Sequence, residues 1–394
     1  MNPLRLALVT RRYWPLVGGA EMVMANLASQ FAKEQAHVQI VTAQWHRTWP
    51  QQVVHREVYV ERLPNPPLRG WGTFRYMMSL GRWLRKNHTE LDAVYVSMLK
   101  HSAYITVQQL KETNVPVILR AEGAGKTGDC VWQQEANFGS RIRTICQQAD
   151  AVVAPSEKIW QELLESGYDP NKIHFIPNGV AISEPRSPKR CEAARQALAN
   201  VNPSLKLKEN SPVAVFTGRL HAGKGLLCAI NAWAIVVKQF PNAKFWIIGE
   251  GPQEDKLRKR INHLNLHGRV VMPGVFDNVE DLLHAADLFI LPSHEEGMSI
   301  SLLEAMATGL AVVASDITGN QKLVAHDQSG MLFPVDDHQD LAASVLKIIS
   351  DQKYATSLGN SARELVEQRF SLAESTQQHE ELFRQLITQK QQDQ

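Results

Sequence analysis

The sequence predicts two α/β domains, each a doubly wound parallel sheet flanked by helices. Three observations lead there. Short β-rich runs alternate with helix-period segments along the chain, the pattern of βα units rather than of an all-α or all-β fold. The alternation breaks once, over a stretch rich in Pro, Lys, Arg, Asn and Ser, and then resumes. The length, 394 residues, is that of two domains at roughly 100–200 residues each.

In the first half, residues 4–9, 37–42, 93–97, 115–119 and 151–154 read as buried strands. A helix from Ala20, with Val23, Met24, Leu27 and Phe31 on one face, follows the first of them. Residues 181–212 carry Pro185, Pro188, Pro203 and Pro212 and one short helical piece at 192–198. Beyond them, strands at 213–217, 244–249, 270–272, 288–291 and 311–315 alternate with helices at 226–238, 253–264, 279–285 and 299–308. The expected division is a first domain over 1–184, a linker over 185–211 and a second domain over 212–370. A closing helix within 371–394, with Leu372, Leu382, Phe383 and Leu386 in helical period, is expected to pack back towards the first domain. Two such Rossmann-like domains face each other across a cleft.

Composition narrows the function. Apolar residues make up 44% and charged residues 21%, values of a soluble globular chain. Lys plus Arg number 42 against 40 Asp plus Glu, a balance that excludes a nucleic-acid partner held by global positive charge. The balance is uneven along the chain: residues 1–185 hold 20 basic and 16 acidic side chains, residues 186–394 hold 22 and 24. Arg69, Arg75, Arg82, Arg85 and Lys86, with no acid among them, account for the excess. The four cysteines, at 130, 146, 191 and 228, are too scattered for a metal knuckle and read as free thiols of a reducing compartment. No stretch approaches a membrane span, and the N-terminal apolar run is too short for a secretory segment, so a cytoplasmic protein is expected.

Four turns after strands carry the chemistry, because ligands of open α/β sheets bind beyond the strands' carboxyl ends. Gly18 and Gly19 open the first helix, where backbone amides approach an anion closely; a plain turn is the alternative. Arg219 and Lys224 are two cations in a glycine-rich strand-to-helix turn, suited to a diphosphate but without Walker spacing. Gly249 lies in a third such turn, Ile248-Gly249-Glu250-Gly251-Pro252, with room for a ribose or a tight turn only. In the fourth, Glu296 and Glu304 flank the amides of Gly297, Met298 and Ser299 at a helix start, two carboxylates for sugar hydroxyls around a phosphate-sized anion site. Taken alone, this segment reads better as one capping and one solvated glutamate.

Together these motifs resemble the family-4 retaining glycosyltransferases of GT-B fold. Glu296-x7-Glu304 matches the EX7E segment, and Gly218–Gly225 matches G-R-L-x-x-x-K-G. I-G-x-G-P at 248–252, A-D-x-x-x-x-P-S at 286–293, I-P-N-G-V at 176–180 and G-G-x-E at 18–21 match in the family's order. The resemblance implies a GT-B fold with an acceptor-binding first domain, a nucleotide-sugar-binding second domain and transfer to a saccharide or lipid-linked acceptor in cell-surface polysaccharide or glycolipid synthesis. It implies that Arg219 and Lys224 hold the donor diphosphate, Glu304 the ribose and Glu296 the donor sugar, with Gly18 and Gly19 at the phosphate–sugar junction. No Asp-x-Asp occurs, consistent with no cofactor and no metal. Glu122 stands where the family commonly has a histidine, and is the candidate to accept the acceptor's proton or to hold the sugar. Ala181 replaces an Asp, and Met298-Ser299 replaces Phe-Gly. The alternative reading is a GT-B protein that binds nucleotide sugars without transfer, catalytically silent or epimerase-like.

The basic segment 69–88 combines Phe74, Met77, Met78 and Leu84 on an apolar face with Arg75, Arg82, Arg85 and Lys86, edged by Trp71, Tyr76 and Trp83. It reads either as a helix packed on the first sheet with a solvated cationic face, or as a peripheral contact with an anionic membrane surface.

Overall fold

The computed structural model describes residues 3–392 apart from 17, 69, 209 and 210. The chain forms two compact units, Met1–Gly179 with Leu372–Gln394, and Val180–Ser371.

The first unit holds β1 (Arg5–Val9), α1 (Gly19–Lys33), β2 (His37–Gln44), β3 (Gln52–His55), β4 (Val58–Pro64), α2 (Trp71–Asn87), β5 (Ala93–Ser97) and α3 (His101–Leu110). It continues with β6 (Val117–Arg120), α4 (Asp129–Glu135), α5 (Gly139–Cys146), β7 (Ala151–Ala154), α6 (Glu157–Glu165) and β8 (Ile173–Phe175). Its eight strands run in the order β3-β4-β2-β1-β5-β6-β7-β8, parallel except for the β3–β4 hairpin. Alternate residues of the central strands point to opposite faces: Ala7, Val9, Val94 and Val96 join the core under α2 and α3, while Leu6, Leu8 and Tyr95 join the core under α1. A strand covered on both faces must be apolar throughout, which is why these runs read so clearly.

The hairpin is absent from the sequence reading. Its two-residue turn, Arg56-Glu57, has φ of 51° and 66°. A turn of that hand is usually marked by Asn-Gly or Asp-Gly, and neither is present.

The second unit holds α7 (Pro188–Val201), β9 (Val213–Thr217), α8 (Leu226–Gln239), β10 (Lys244–Ile248), α9 (Glu254–His263), β11 (Val270–Gly274), α10 (Glu280–Ala285) and β12 (Leu288–Leu291). It continues with α11 (Ile300–Ala307), β13 (Ala311–Ser315), α12 (Thr318–Gln321), β14 (Met331–Phe333), α13 (His338–Ser350) and α14 (Gln352–Arg369). Six parallel strands run in the order β11-β10-β9-β12-β13-β14 over a core that includes Trp233, Trp246, Phe216 and Phe289.

Residues 185–211 are not a free linker. Ser187 caps α7 by accepting from the Arg190 amide, and Pro188 sits in the first turn, where no N–H is required. Buried Ala194 and Leu198 and a bidentate Arg195–Asp287 pair tie α7 to the second unit. Of the prolines that give this stretch its linker-like composition, Pro188 starts α7 and Pro203 starts a 3-10 turn at Pro203–Leu205, while Pro185 and Pro212 lie outside any helix.

The final helix, α15 (Leu372–Gln392), packs on α1 in the first unit. Phe383 stacks on Phe31 with ring centroids 5.7 Å apart. His379 accepts from the Tyr95 hydroxyl at Nε2 (2.8 Å) and donates from Nδ1 to the Ser375 carbonyl (2.6 Å). Burial pushes its pKa down to about 4, so the neutral tautomer is the one that fits both bonds.

The basic helix α2 presents a different face from the one expected. Tyr76, Leu80, Trp83 and Leu84 are its buried residues, whereas Phe74 and Met78 are exposed. Arg69 lies outside the described residues.

Phe383→Ala removes a fully buried ring that joins α15 to α1, and is expected to lower stability by about 3–5 kcal/mol. Urea unfolding monitored by circular dichroism measures it; a loss below about 1 kcal/mol would show that α15 does not contribute to the unit's core.

Candidate active site

In the second sheet the strand order reverses at β9, whose neighbours are β10 and β12. The crevice outside the carboxyl ends of β9 and β12 is where such a sheet takes a ligand. It is bordered by residues 218–225, after β9, and residues 292–299, after β12.

These two turns are locked together. The His294 amide donates to the Gly223 carbonyl at 2.8 Å. Gly225 has φ +62°, and a Cβ there would sit 1.9 Å from the Pro292 carbonyl oxygen, so only glycine permits the approach. The result is a contact between Lys224 and Glu296, 72 positions apart, with Nζ and Oε1 separated by 2.5 Å and both side chains largely buried. Arg219 lies exposed in the same turn as Lys224. His221 accepts from the Gly223 amide at Nδ1 (3.2 Å), which places its proton on Nε2. Burial and the charges of Lys224 and Arg219 lower its pKa, keeping the ring neutral.

Gly249, after β10, is held against the same turn: its φ is +137°, and a Cβ would meet the Gly218 carbonyl oxygen at 1.9 Å. Ser299 caps α11, accepting from the Leu302 amide at 3.4 Å. Gly297 and Met298 are half-buried between Glu296 and that cap, and Glu304 is half-buried within α11. The spacing of Glu296 and Glu304 is thus one turn residue and one residue of the following helix.

Gly18, Gly19 and Glu122 belong to the first unit. Gly18 is extended, and a Cβ there would meet the carboxylate of Glu21 at 2.4 Å; Glu21 is buried and pairs with Arg12 at 3.2 Å. Gly19 begins α1. Glu122 ion-pairs with the buried Arg120, which also donates to Asn178, and it accepts from Ser97 at 3.0 Å. Beneath it, Asp129 accepts from the amides of Glu122 (2.8 Å) and Leu99 (3.1 Å), and faces Lys100 at 3.5 Å. Burial raises the Asp129 pKa to about 6 against the pull of Lys100.

Set against known proteins, residues 17–184 match the description Glycosyltransferase Family 4, and residues 200–365 match Glycosyl transferases group 1. The chain belongs to glycosyltransferase family 4. The N-acetyl-alpha-D-glucosaminyl L-malate synthase of Bacillus anthracis is 24% identical over 94% of this chain and 94% of its own. The UDP-Gal:alpha-D-GlcNAc-diphosphoundecaprenol alpha-1,3-galactosyltransferase of Escherichia coli is 28% identical over 56% of each chain. HepE of Anabaena, solved in complex with UDP and glucose, has the same fold, with a TM-score of 0.79 at 21% identity over 97% of this chain and 100% of its own. The two units are those of a GT-B glycosyltransferase.

Three features of this glycosyltransferase escaped the sequence reading. Asp129 and Arg120 look like ordinary polar residues at element ends until the fold buries them. Asn178 lies inside the recognised I-P-N-G-V run, and only the structure shows that it holds Arg120. His221 sits within the Arg219–Lys224 turn, where its charged neighbours carry the sequence signal.

Asp129 makes stability pH-dependent. A carboxyl whose folded pKa lies above its unfolded value binds more protons when folded, so its contribution falls as pH rises from about 4 to about 6. Asp129→Asn keeps an accepting oxygen without that titration. Relative to wild type it is expected to gain about 2 kcal/mol between pH 4.5 and pH 7.5, measured by urea unfolding at each pH. An unchanged difference would mean that Asp129 titrates normally.

Proposed function

We propose that this glycosyltransferase is retaining and metal-independent, moving a sugar from a nucleotide-sugar donor bound by the second unit to a saccharide or lipid-linked acceptor bound by the first. The observation that carries this is the Lys224–Glu296 contact at the reversal point of the second sheet, beside the capped start of α11. A lysine ammonium has three N–H donors. One is given to Glu296, which holds Nζ in place, and two remain for diphosphate oxygens. As the bond between the sugar and the diphosphate breaks, negative charge builds on the leaving group. Lys224, Arg219 and the amides of Gly297, Met298 and Ser299 meet that charge without reorganising. Glu296 and Glu304 accept from the donor's sugar and ribose hydroxyls, and Gly249 leaves room beside the β9 turn.

A second-unit site built from cations needs no divalent ion to neutralise the diphosphate. Retention follows from attack by the acceptor on the face the leaving group departs from, with no enzymic nucleophile assigned. Glu122, fixed by Arg120 and Ser97, is the first unit's carboxylate for the acceptor hydroxyl.

The full chain, supplied with a panel of nucleotide sugars, tests the assignment through release of the nucleoside diphosphate. Lys224→Ala is expected to slow turnover on the order of 10²–10³-fold. EDTA is expected to leave the rate unchanged, and the product's anomeric configuration, read by NMR, is expected to match the donor's. Near wild-type turnover in the variant, loss of activity in EDTA or an inverted product would each remove the corresponding part.

The acceptor reading extends to the membrane. Trp71 and Phe74, 51% and 52% exposed, stack on each other at 5.4 Å, and Met78, Arg82 and Arg85 continue the same face of α2. Aromatic edges followed by cations suit an anionic bilayer surface. No helix among the described residues is long and apolar enough to cross a membrane, so any association through α2 is peripheral. Flotation with phosphatidylglycerol-containing vesicles at low salt is expected to carry the protein, and Trp71→Ala with Phe74→Ala to abolish it. Equal behaviour with phosphatidylcholine alone, or none with either, would overturn this contact.

A further inference from the structure

Three charge pairs line the carboxyl edge of the first sheet. Arg12 faces Glu21 at 3.2 Å, Lys100 faces Asp129 at 3.5 Å, and Arg120 pairs with Glu122. Among the described residues Arg62, buried near the end of β4, has no carboxylate but donates to the Pro50 and Trp14 carbonyls; Arg11 has neither kind of partner. It lies two residues beyond β1, and β1 adjoins β5 where the strand order of this sheet reverses. Its Nη2 donates to the Thr73 hydroxyl at 2.7 Å, while its buried Nε has no acceptor. Its guanidinium lies over Trp45 at 5.3 Å and over Tyr76 at 5.9 Å. No carboxylate of the described residues pairs with it.

A partly buried cation without a counter-ion is costly, and aromatic faces return only part of what hydration supplied. The clamping is informative. Two rings fix the plane and Thr73 fixes one corner, a geometry that leaves the remaining edge of the fork for a planar or tetrahedral oxyanion. The neighbouring His101 does not compete for that anion as a second cation. Burial, Arg11 and Lys100 together lower its pKa to about 4, and its ring sits edge-on to Trp132 at 5.3 Å. It therefore offers a neutral hydrogen-bonding group beside a fixed positive charge.

We infer that Arg11 anchors an oxyanion, a phosphate or carboxylate group, carried by the acceptor. This deepens the acceptor role proposed for the first unit and rests on it. The acceptor is then an anionic molecule: a sugar phosphate, a hydroxy acid or a lipid-linked phosphate rather than a neutral oligosaccharide. Thr73, which orients the guanidinium, is a positioning residue.

The test uses the full chain carrying Lys224→Ala, so that the cation of the second unit does not dominate, with inorganic phosphate as the probe. Calorimetric titration at constant ionic strength, with chloride as the control, is expected to show phosphate binding. Adding Arg11→Gln is expected to weaken it about tenfold or more, the scale of a lost charge-assisted contact. Thr73→Val, which keeps the charge and frees its orientation, is expected to weaken it by a smaller factor and covers the case in which Arg11→Gln does not fold. Arg11→Lys is expected to retain part of the affinity, which a purely structural clamp of Trp45 would not predict.

Phosphate affinity unchanged in both Arg11→Gln and Thr73→Val would overturn the anchor. Nucleoside diphosphate binding, measured in parallel in the unaltered chain, in Lys224→Ala and in Arg11→Gln with Lys224 intact, separates the two proposals. Its loss in Lys224→Ala with survival in Arg11→Gln supports the donor assignment whatever the phosphate result. Dodecyl phosphate below its micelle concentration distinguishes the sources. Binding tighter than inorganic phosphate and dependent on Arg11 assigns the anion to a lipid-linked acceptor, and equal binding assigns it to a soluble one.

Discussion

A Cβ on residue 225 would collide with the carbonyl oxygen of Pro292, and much of the second unit's chemistry depends on the absence of that carbon. The close approach lets the turns after β9 and β12 share backbone bonds, so Lys224 and Glu296 meet although neither strand order nor side-chain preference demands it. A lysine–carboxylate pair left to two flexible turns would contribute little, because the entropy of holding both chains offsets the attraction. Here the backbones are fixed first. The pair then positions a cation rather than supplying stability, as the proposed leaving-group site requires.

The first unit solves a different electrostatic problem. Arg120 is buried at the end of β6, where an uncompensated guanidinium would be strongly unfavourable, and Glu122 and Asn178 satisfy it from two directions. Asp129, equally buried, spends its charge on two backbone amides and Lys100, tying the ends of β5 and β6 to the start of α4. These charges at the edge of the sheet are met by opposite charges, and Arg62 by the Pro50 and Trp14 carbonyls. Arg11 stands out against that background, since its neighbours are rings and a hydroxyl instead of carboxylates.

The parts of this fold legible in the sequence are those whose physics is local. β5, β9 and β13 are buried on both faces and must be continuous apolar runs, and the turns at Gly218–Gly225 and Glu296–Glu304 carry ordered motifs. The hairpin β3–β4 was invisible because its turn uses Arg56 and Glu57 where glycine or asparagine would have marked it. Of α7 only the piece at 192–198 is legible, because Pro188, which begins the helix, reads equally as a break in one. The orientation of α2 was misread for a reason of geometry: nearly every face of that helix carries something apolar, so periodicity alone could not say which side meets the sheet. Tertiary contacts decide it, placing Tyr76 and Trp83 inward and Phe74 outward.

That orientation connects two features that composition had kept apart. Thr73 and Tyr76, which fix the Arg11 guanidinium, lie on α2 between Trp71 and Met78, which face outward. One turn of helix thus contributes an inward hydroxyl and ring to a cation at the sheet edge, and an outward aromatic pair to the surface. Removing the charge at Arg11 would leave that outer face intact, and removing the aromatics would leave the guanidinium clamped. The two roles are therefore separable by mutation even though a single helix carries both. The cations of this region divide accordingly. Arg82, Arg85 and Lys86 are exposed charges of the surface, while Arg11 is a partly buried charge whose environment has use for an anion.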